Sequence, residues 1–300
     1  MTLHSATRML VLATGFLAAA FDGLRAECRL EPGPTRTVTR VIDGETLLLD
    51  DSSEVRLAGA LAPRGFDAAI DDATWPAAVA AKAALAALVE GHTVVLGYTG
   101  NGKRDRQNRH VAQVFVLRDG VETWVQGKLL SAGHARAYQQ KDHRGCAAEL
   151  LAHERIAREA GSGLWDAGAY QTRVAVRTRD LEGMAAKFAV LTGRVAWVTE
   201  GRDSIAFGFS ASRTRGFNGR RGVIVMIDGR DRALLGTFGG DAKALEGQQV
   251  EVRGWLEQRL GRPAGTFVMD ISLAGMIVVP AAATKTEDQA VVSGDGASRP

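Results

Sequence analysis

Three short apolar runs, at residues 37–42, 46–49 and 55–57, follow one another with only Asp, Gly, Ser and Glu between them. Runs this short, joined this tightly, predict a strand meander. Trp75-Pro76 then opens an Ala-rich stretch to Glu90 with apolar residues at helical spacing, stopped by Gly91. Two further strand-like runs, 93–98 and 111–117, flank a Gly- and charge-rich loop at 100–110. Helical patterns at 124–132 and 146–160 close the segment at Gly161-Ser162-Gly163. Five strands with interposed helices suggest a small barrel rather than a parallel sheet. The expected fold class is therefore mainly β with α. With aromatics at only 6%, the cores must be built chiefly from Ala, Val and Leu.

A second strand-rich unit, expected over 185–280, has runs near 190–195, 204–210, 223–227, 250–256 and 266–279. A short helical pattern near Asp241 precedes the fourth run. Strand, strand, strand, helix, strand, strand is the order of an OB-like barrel. The alternating Ile205, Phe207 and Phe209 read as one core-facing row. Residues 167–184 read as a polar linker, and no residue-level repeat relates the two units.

At the N-terminus, Arg8, the thirteen-residue stretch 9–21 and Leu24-Arg25-Ala26 read as a signal peptide over 1–26, cleaved after Ala26. That stretch falls short of the roughly 20 residues a membrane span requires. The mature chain is therefore expected to lack a transmembrane segment and to be extracytoplasmic, periplasmic or secreted. An oxidising compartment would let the two cysteines, Cys28 and Cys146, pair in a disulfide; two free thiols or lipidation of Cys28 are the alternatives. Residues 281–300 have no sustained apolar period and are expected to be a disordered tail.

Five ordered motifs of the first unit resemble the staphylococcal nuclease (thermonuclease) family over about residues 35–166. They are Val41-Ile42-Asp43-Gly44-Glu45-Thr46, Val55-Arg56-Leu57-Ala58-Gly59 with Pro63, Asp105-Arg106-Gln107-Asn108-Arg109, Leu130-Ser131-Ala132-Gly133-His134-Ala135 and Gly163-Leu164-Trp165. The resemblance implies an OB-type five-stranded barrel with three helices and a calcium-dependent phosphodiesterase acting on nucleic acid. In such chemistry a hard cation takes oxygen ligands and polarises the phosphate, a carboxylate activates water, and two arginines hold the phosphoryl oxygens. Carried over position by position, the arginines are Arg56 and Arg109, and the metal ligands are Asp43 and Glu45. The family's first calcium aspartate falls at Glu45, its second at Leu61, and its water-activating carboxylate at Arg64.

Leu61 cannot ligate a metal and Arg64 reverses the local charge. Calcium binding and hydrolysis are therefore expected to be weakened or lost. Three readings follow: oxygens supplied by Asp50, Asp51, Asp67, Asp71 or Asp72; an anion site of Arg56, Arg64 and Arg109; or arginines paired with Asp43, Glu45 and Asp105. His110 is expected to face away from Arg109. His134 reads as a packing or capping residue, and His143 and His153 have no metal-ligand spacing. The chain contains no GxSxG, Walker or HExxH motif.

The net charge of +3 neither demands nor excludes a polyanionic partner, but it is unevenly spread. Residues 36–166 carry −1 and residues 173–280 carry +5. Within the basic unit, Arg213, Arg215, Arg220 and Arg221 frame Phe217 and Asn218, a composition suited to a phosphate backbone with one stacked base, or simply to a solvated loop. Nucleic acid or another polyanion is the expected partner.

Overall fold

The computed structural model describes residues 28–100, 102–140, 142–166, 168–209, 222–258 and 265–279. The expected signal peptide, the Arg213, Arg215, Phe217, Arg220 and Arg221 loop and the tail at 281–300 lie outside these residues. No helix among the described residues is long and apolar enough to cross a membrane.

The first group of elements is β1 (Glu31–Asp43), β2 (Thr46–Leu49), β3 (Glu54–Leu57), β4 (Ala60–Leu61), α1 (Gly65–Ala68), α2 (Pro76–Val89), β5 (Thr93–Tyr98), β6 (His110–Arg118), β7 (Val121–Trp124), α3 (Val125–Ser131), β8 (Arg136–Ala137) and α4 (Ala147–Glu159). Proline at the first helical position starts α2, and Ala78, Ala81, Leu85 and Val89 line its buried face at intervals of three and four. Antiparallel pairings join β1 to β2, β2 to β3, β5 to β6 and β1 to β5. A parallel pairing of β3 with β6 returns the order upon itself. Val38, Leu47, Leu57, Leu85, Leu96 and Val114 belong to the core beneath these strands.

β1 is longer than the expected run because shifts in its register let one continuous strand serve both β2 and β5. The two-residue strands β4 and β8 were not expected; they pair with each other and carry too few residues to leave a periodic signal. Positive φ at Gly133 and Gly163 lets two turns meet closely, with Leu164 N donating to Gly133 O at 2.9 Å.

The second group is β9 (Arg173–Val174), β10 (Phe188–Arg194), β11 (Trp197–Glu200), β12 (Ser204–Gly208), β13 (Gly222–Asp228), β14 (Gln249–Trp255), β15 (Thr266–Ile271) and β16 (Ile277–Val278). These form two four-stranded sheets, β16-β14-β10-β9 and β11-β12-β13-β15. Both sheets contribute to one core that contains Ile205, Phe207 and Phe209. The expected linker carries β9, which pairs with β10, and its Ala175 and Leu181 enter the same core. Near Asp241 the helical pattern is a single 3-10 turn, Ala242–Leu245, capped by the Asp241 carboxylate on Lys243 N at 2.8 Å.

The two groups meet across a buried ionic network. Arg253 Nη2 lies 2.9 Å from Glu154 Oε1 and 2.6 Å from Glu251 Oε1, and Arg158 donates to both Glu251 oxygens at 3.0 and 2.6 Å. Glu154 also accepts from Ala137 N at 2.5 Å. Burial works against the Arg253 charge, but Glu154 and Glu251 outweigh it and hold the guanidinium pKa above its ordinary value.

Candidate functional site

The tight turn between β1 and β2 places Glu45. Asp43 Oδ1 accepts from Glu45 N at 2.8 Å, an Asx-type closure, and Glu45 O accepts from Leu57 N at 2.8 Å. Gly44 permits this turn to lie against the next loop and α2. A Cβ there would come within 2.8 Å of the Ala62 Cβ and 2.9 Å of the Ala81 Cβ. The Glu45 side chain is consequently buried, at 1% exposure.

A buried carboxylate needs partners, and Glu45 has two hydrogen-bond donors and a further ion pair. Its Oε2 accepts from Ala62 N at 2.9 Å, while Oε1 receives Arg56 Nη2 at 3.2 Å and a still closer bond from Arg64 Nη2. Burial opposes the Arg64 charge, but the carboxylates of Glu45, Asp43 and Asp72 prevail and raise its pKa. Arg109 forms a separate pair, its Nη2 and Nε lying 2.7 and 2.8 Å from Asp105 Oδ2. The other Asp105 oxygen accepts from Gln107 N and Arg109 N, both at 3.0 Å, so the loop fixes the arginine at its root. Despite partial burial, the bonds from Arg109 hold the Asp105 carboxyl below its ordinary value.

Arg56 stands opposite Val111 in the parallel β3–β6 pairing, and Arg109 precedes Val111 by two residues. Arg109 itself lies in the turn just before β6, which starts at His110. Beside Glu45 opens a cavity of about 630 Å³, lined by Asp43, Arg64, Asp72 and Lys82 over small apolar side chains.

Calcium, implied by the resemblance, asks for six to eight oxygens. The residues present do not fit it. Both Glu45 oxygens already accept from protein donors, Leu61 is apolar and buried, and the Arg64 cation contacts the remaining carboxylate. At an effective dielectric near 20, a unit charge about 4 Å away opposes a divalent ion by roughly 8 kcal/mol. The alternative carboxylates have partners of their own, Asp50 lying 3.9 Å from Arg36 Nε. Asp51 binds Arg36 and Ser53, Asp67 binds Arg136 and Tyr170, Asp71 accepts from Ala73 N, and Asp72 caps Gly65 N. No cluster of three or more His, Cys, Asp or Glu side chains suited to a metal occurs among the described residues.

Two of the described histidines, His110 and His153, have side-chain hydrogen-bond partners. His110 is held between Tyr98 Oη at 2.6 Å and Arg104 Nη2 at 2.9 Å, and burial with Arg104 pushes its pKa down. His153 contacts Ser131 Oγ at 2.8 Å, and His134 and His143 have pKa values lowered by burial. Cys28 and Cys146 are joined in a disulfide.

Sequence reasoning did not anticipate the environment of Leu61, which packs beside Phe188 and Val190 of β10, nor the ionic network of Glu154 and Arg253. Glu154 offers a faint signal, being an acid on the apolar face of α4 with Leu150 and Ala157.

Residues 54–167 match the family model of staphylococcal nuclease homologues. The matched span begins at Glu54, so Asp43 and Glu45 precede it. No curated protein matches the chain.

Proposed function

From a staphylococcal nuclease homologue domain at residues 54–167, we propose an exported, thermonuclease-like protein that has lost metal-assisted hydrolysis and binds nucleic acid or another polyanion through arginines. The observation that carries this reading is Arg64 seated on the Glu45 carboxylate, a guanidinium where the resemblance implies a divalent cation. Arg56 stands beside it, its side chain one-fifth exposed and paired with the same carboxylate. The +5 charge over residues 173–280 supplies long-range attraction, with Arg213, Arg215, Arg220 and Arg221 as backbone contacts and Phe217 as a stacking ring.

Two OB-type barrels are part of this proposal. In the first group the pairing order is β1-β2-β3-β6-β5 and back to β1, with β3–β6 parallel. The second group supports the same order: β11-β12-β13-β15 with β13–β15 parallel, Glu257 just beyond β14 bridged to Val268 of β15, and β14 paired with β10. Export is supported by the disulfide together with the N-terminal pattern. Processing would leave a mature N-terminus at Glu27, which N-terminal sequencing of the exported protein reads directly.

Hydrolysis is the competing reading, favoured by the presence of both Arg56 and Arg109 at the positions where the resemblance implies the phosphate-holding arginines. The two separate in one experiment, in which the purified mature chain is mixed with single-stranded DNA in millimolar calcium or in chelator. The expected result is no calcium-dependent cleavage and a fluorescence anisotropy signal that chelator leaves unchanged. Affinity should fall with rising salt and with alanine at positions 213, 215, 220 and 221. Cleavage that requires calcium and disappears in Arg56→Ala and Arg109→Ala would overturn the proposal.

A further inference from the structure

The stretch from β4 through α1 meets the second group of elements at Leu61 and at Asp67. Leu61, 3% exposed, packs in one cluster with Ala157 and Trp165 of its own group and with Phe188 and Val190 of β10. Its strand partner Arg136, also 3% exposed, donates to Phe188 O at 2.9 Å and lies 3.3 Å from Asp67 Oδ2. The same Asp67 oxygen accepts from Tyr170 Oη at 2.8 Å, and Asp67 O accepts from Lys187 Nζ at 2.7 Å. Leu61 thus receives the start of β10, the Asp67 carbonyl receives Lys187 just before it, and the Asp67 carboxylate holds Tyr170 and the Arg136 that donates to Phe188 O.

We propose that loop 60–68 is the seat on which the second group of strands docks, with Leu61 as its apolar anchor and Asp67 as its polar one. This inference stands on those contacts and is independent of whether a polyanion binds. Its consequence concerns the missing metal carboxylate. An acid at position 61 would lie among Ala157, Trp165, Phe188 and Val190, and burying a carboxylate there is strongly unfavourable because the facing cation, Arg136, is already engaged by Asp67 and Phe188 O. Restoring the acid should therefore loosen the docking instead of completing a cation site.

Hydrogen exchange of the full chain, followed by peptide with and without millimolar calcium, tests this. Leu61→Asp is expected to speed exchange in β10 by about tenfold or more, while β2 and β3 keep their protection and calcium restores nothing. Leu61→Met, which preserves an apolar anchor, should exchange like the wild type. Wild-type exchange in Leu61→Asp, or protection regained on adding calcium, would overturn the proposal. If Leu61→Asp loses protection throughout, Asp67→Ala decides: faster exchange confined to β10 supports the seat, and unchanged exchange there rejects it.

Discussion

Glu45 is a carboxylate with almost no solvent, and its three partners differ in what they contribute. Arg56 and Ala62 N belong to the frame of strands and loop, whereas the Arg64 side chain is 45% exposed and partly solvated. Glu45→Ala leaves Arg56 facing a void without its counter-charge, and should cost about 3 kcal/mol of stability. Arg64→Ala leaves the carboxylate with two partners, and should cost only about 1 kcal/mol because exposed pairs are weak. Urea midpoints of the two variants measure the difference, and equal losses would contradict this ranking. Pairing of these arginines with nearby acids is one of three readings the sequence leaves open, since Asp105 and Arg109 share one loop and Glu45 and Arg56 share one strand meander. The fate of Leu61 is not legible there, because a leucine in a loop carries no sign of which distant strand will cover it.

Between elements, the joint of α4 with β14 rests on charges withdrawn from water. Removing one member of such a network exposes the others to an uncompensated interior, so Arg253→Ala should destabilise the chain by about 3 to 5 kcal/mol, read by denaturant unfolding. Acid provides a second check. Burial alone would raise the Glu251 carboxyl pKa, but hydrogen bonds from Arg158 and the charge of Arg253 lower it below the ordinary 4.5. A carboxyl lowered in the folded state contributes stability that is full above that ordinary value and is lost as pH falls through the folded one. Melting temperature should therefore drop below about pH 4.5, and Glu251→Gln should reduce the slope of that drop. The strands and helices on either side of the joint announce themselves through period and caps, as α2 does with Pro76 and its alanines. The joint itself depends on pairs such as Glu154 and Arg253 that only the assembled fold brings together, and β4 and β8 are too short to register at all.

For the molecule as a whole, the disulfide ties together residues 118 positions apart. By chain entropy a loop of that size stabilises the folded state by about 4 to 5 kcal/mol, so a reductant should lower the melting temperature markedly, and Cys28→Ala with Cys146→Ala should reproduce the effect. A melt indifferent to reductant would show that the bridge adds little to the stability of the chain.

The same bridge also redraws how force travels through the chain. Every strand of the first group, β1 through β8, lies between Cys28 and Cys146. Tension applied at residue 28 and at the second group passes directly across the sulfur bridge into α4. The enclosed elements are bypassed, so under mechanical load β1 through β8 are shielded while α4, the chain that follows it and the second core carry the strain.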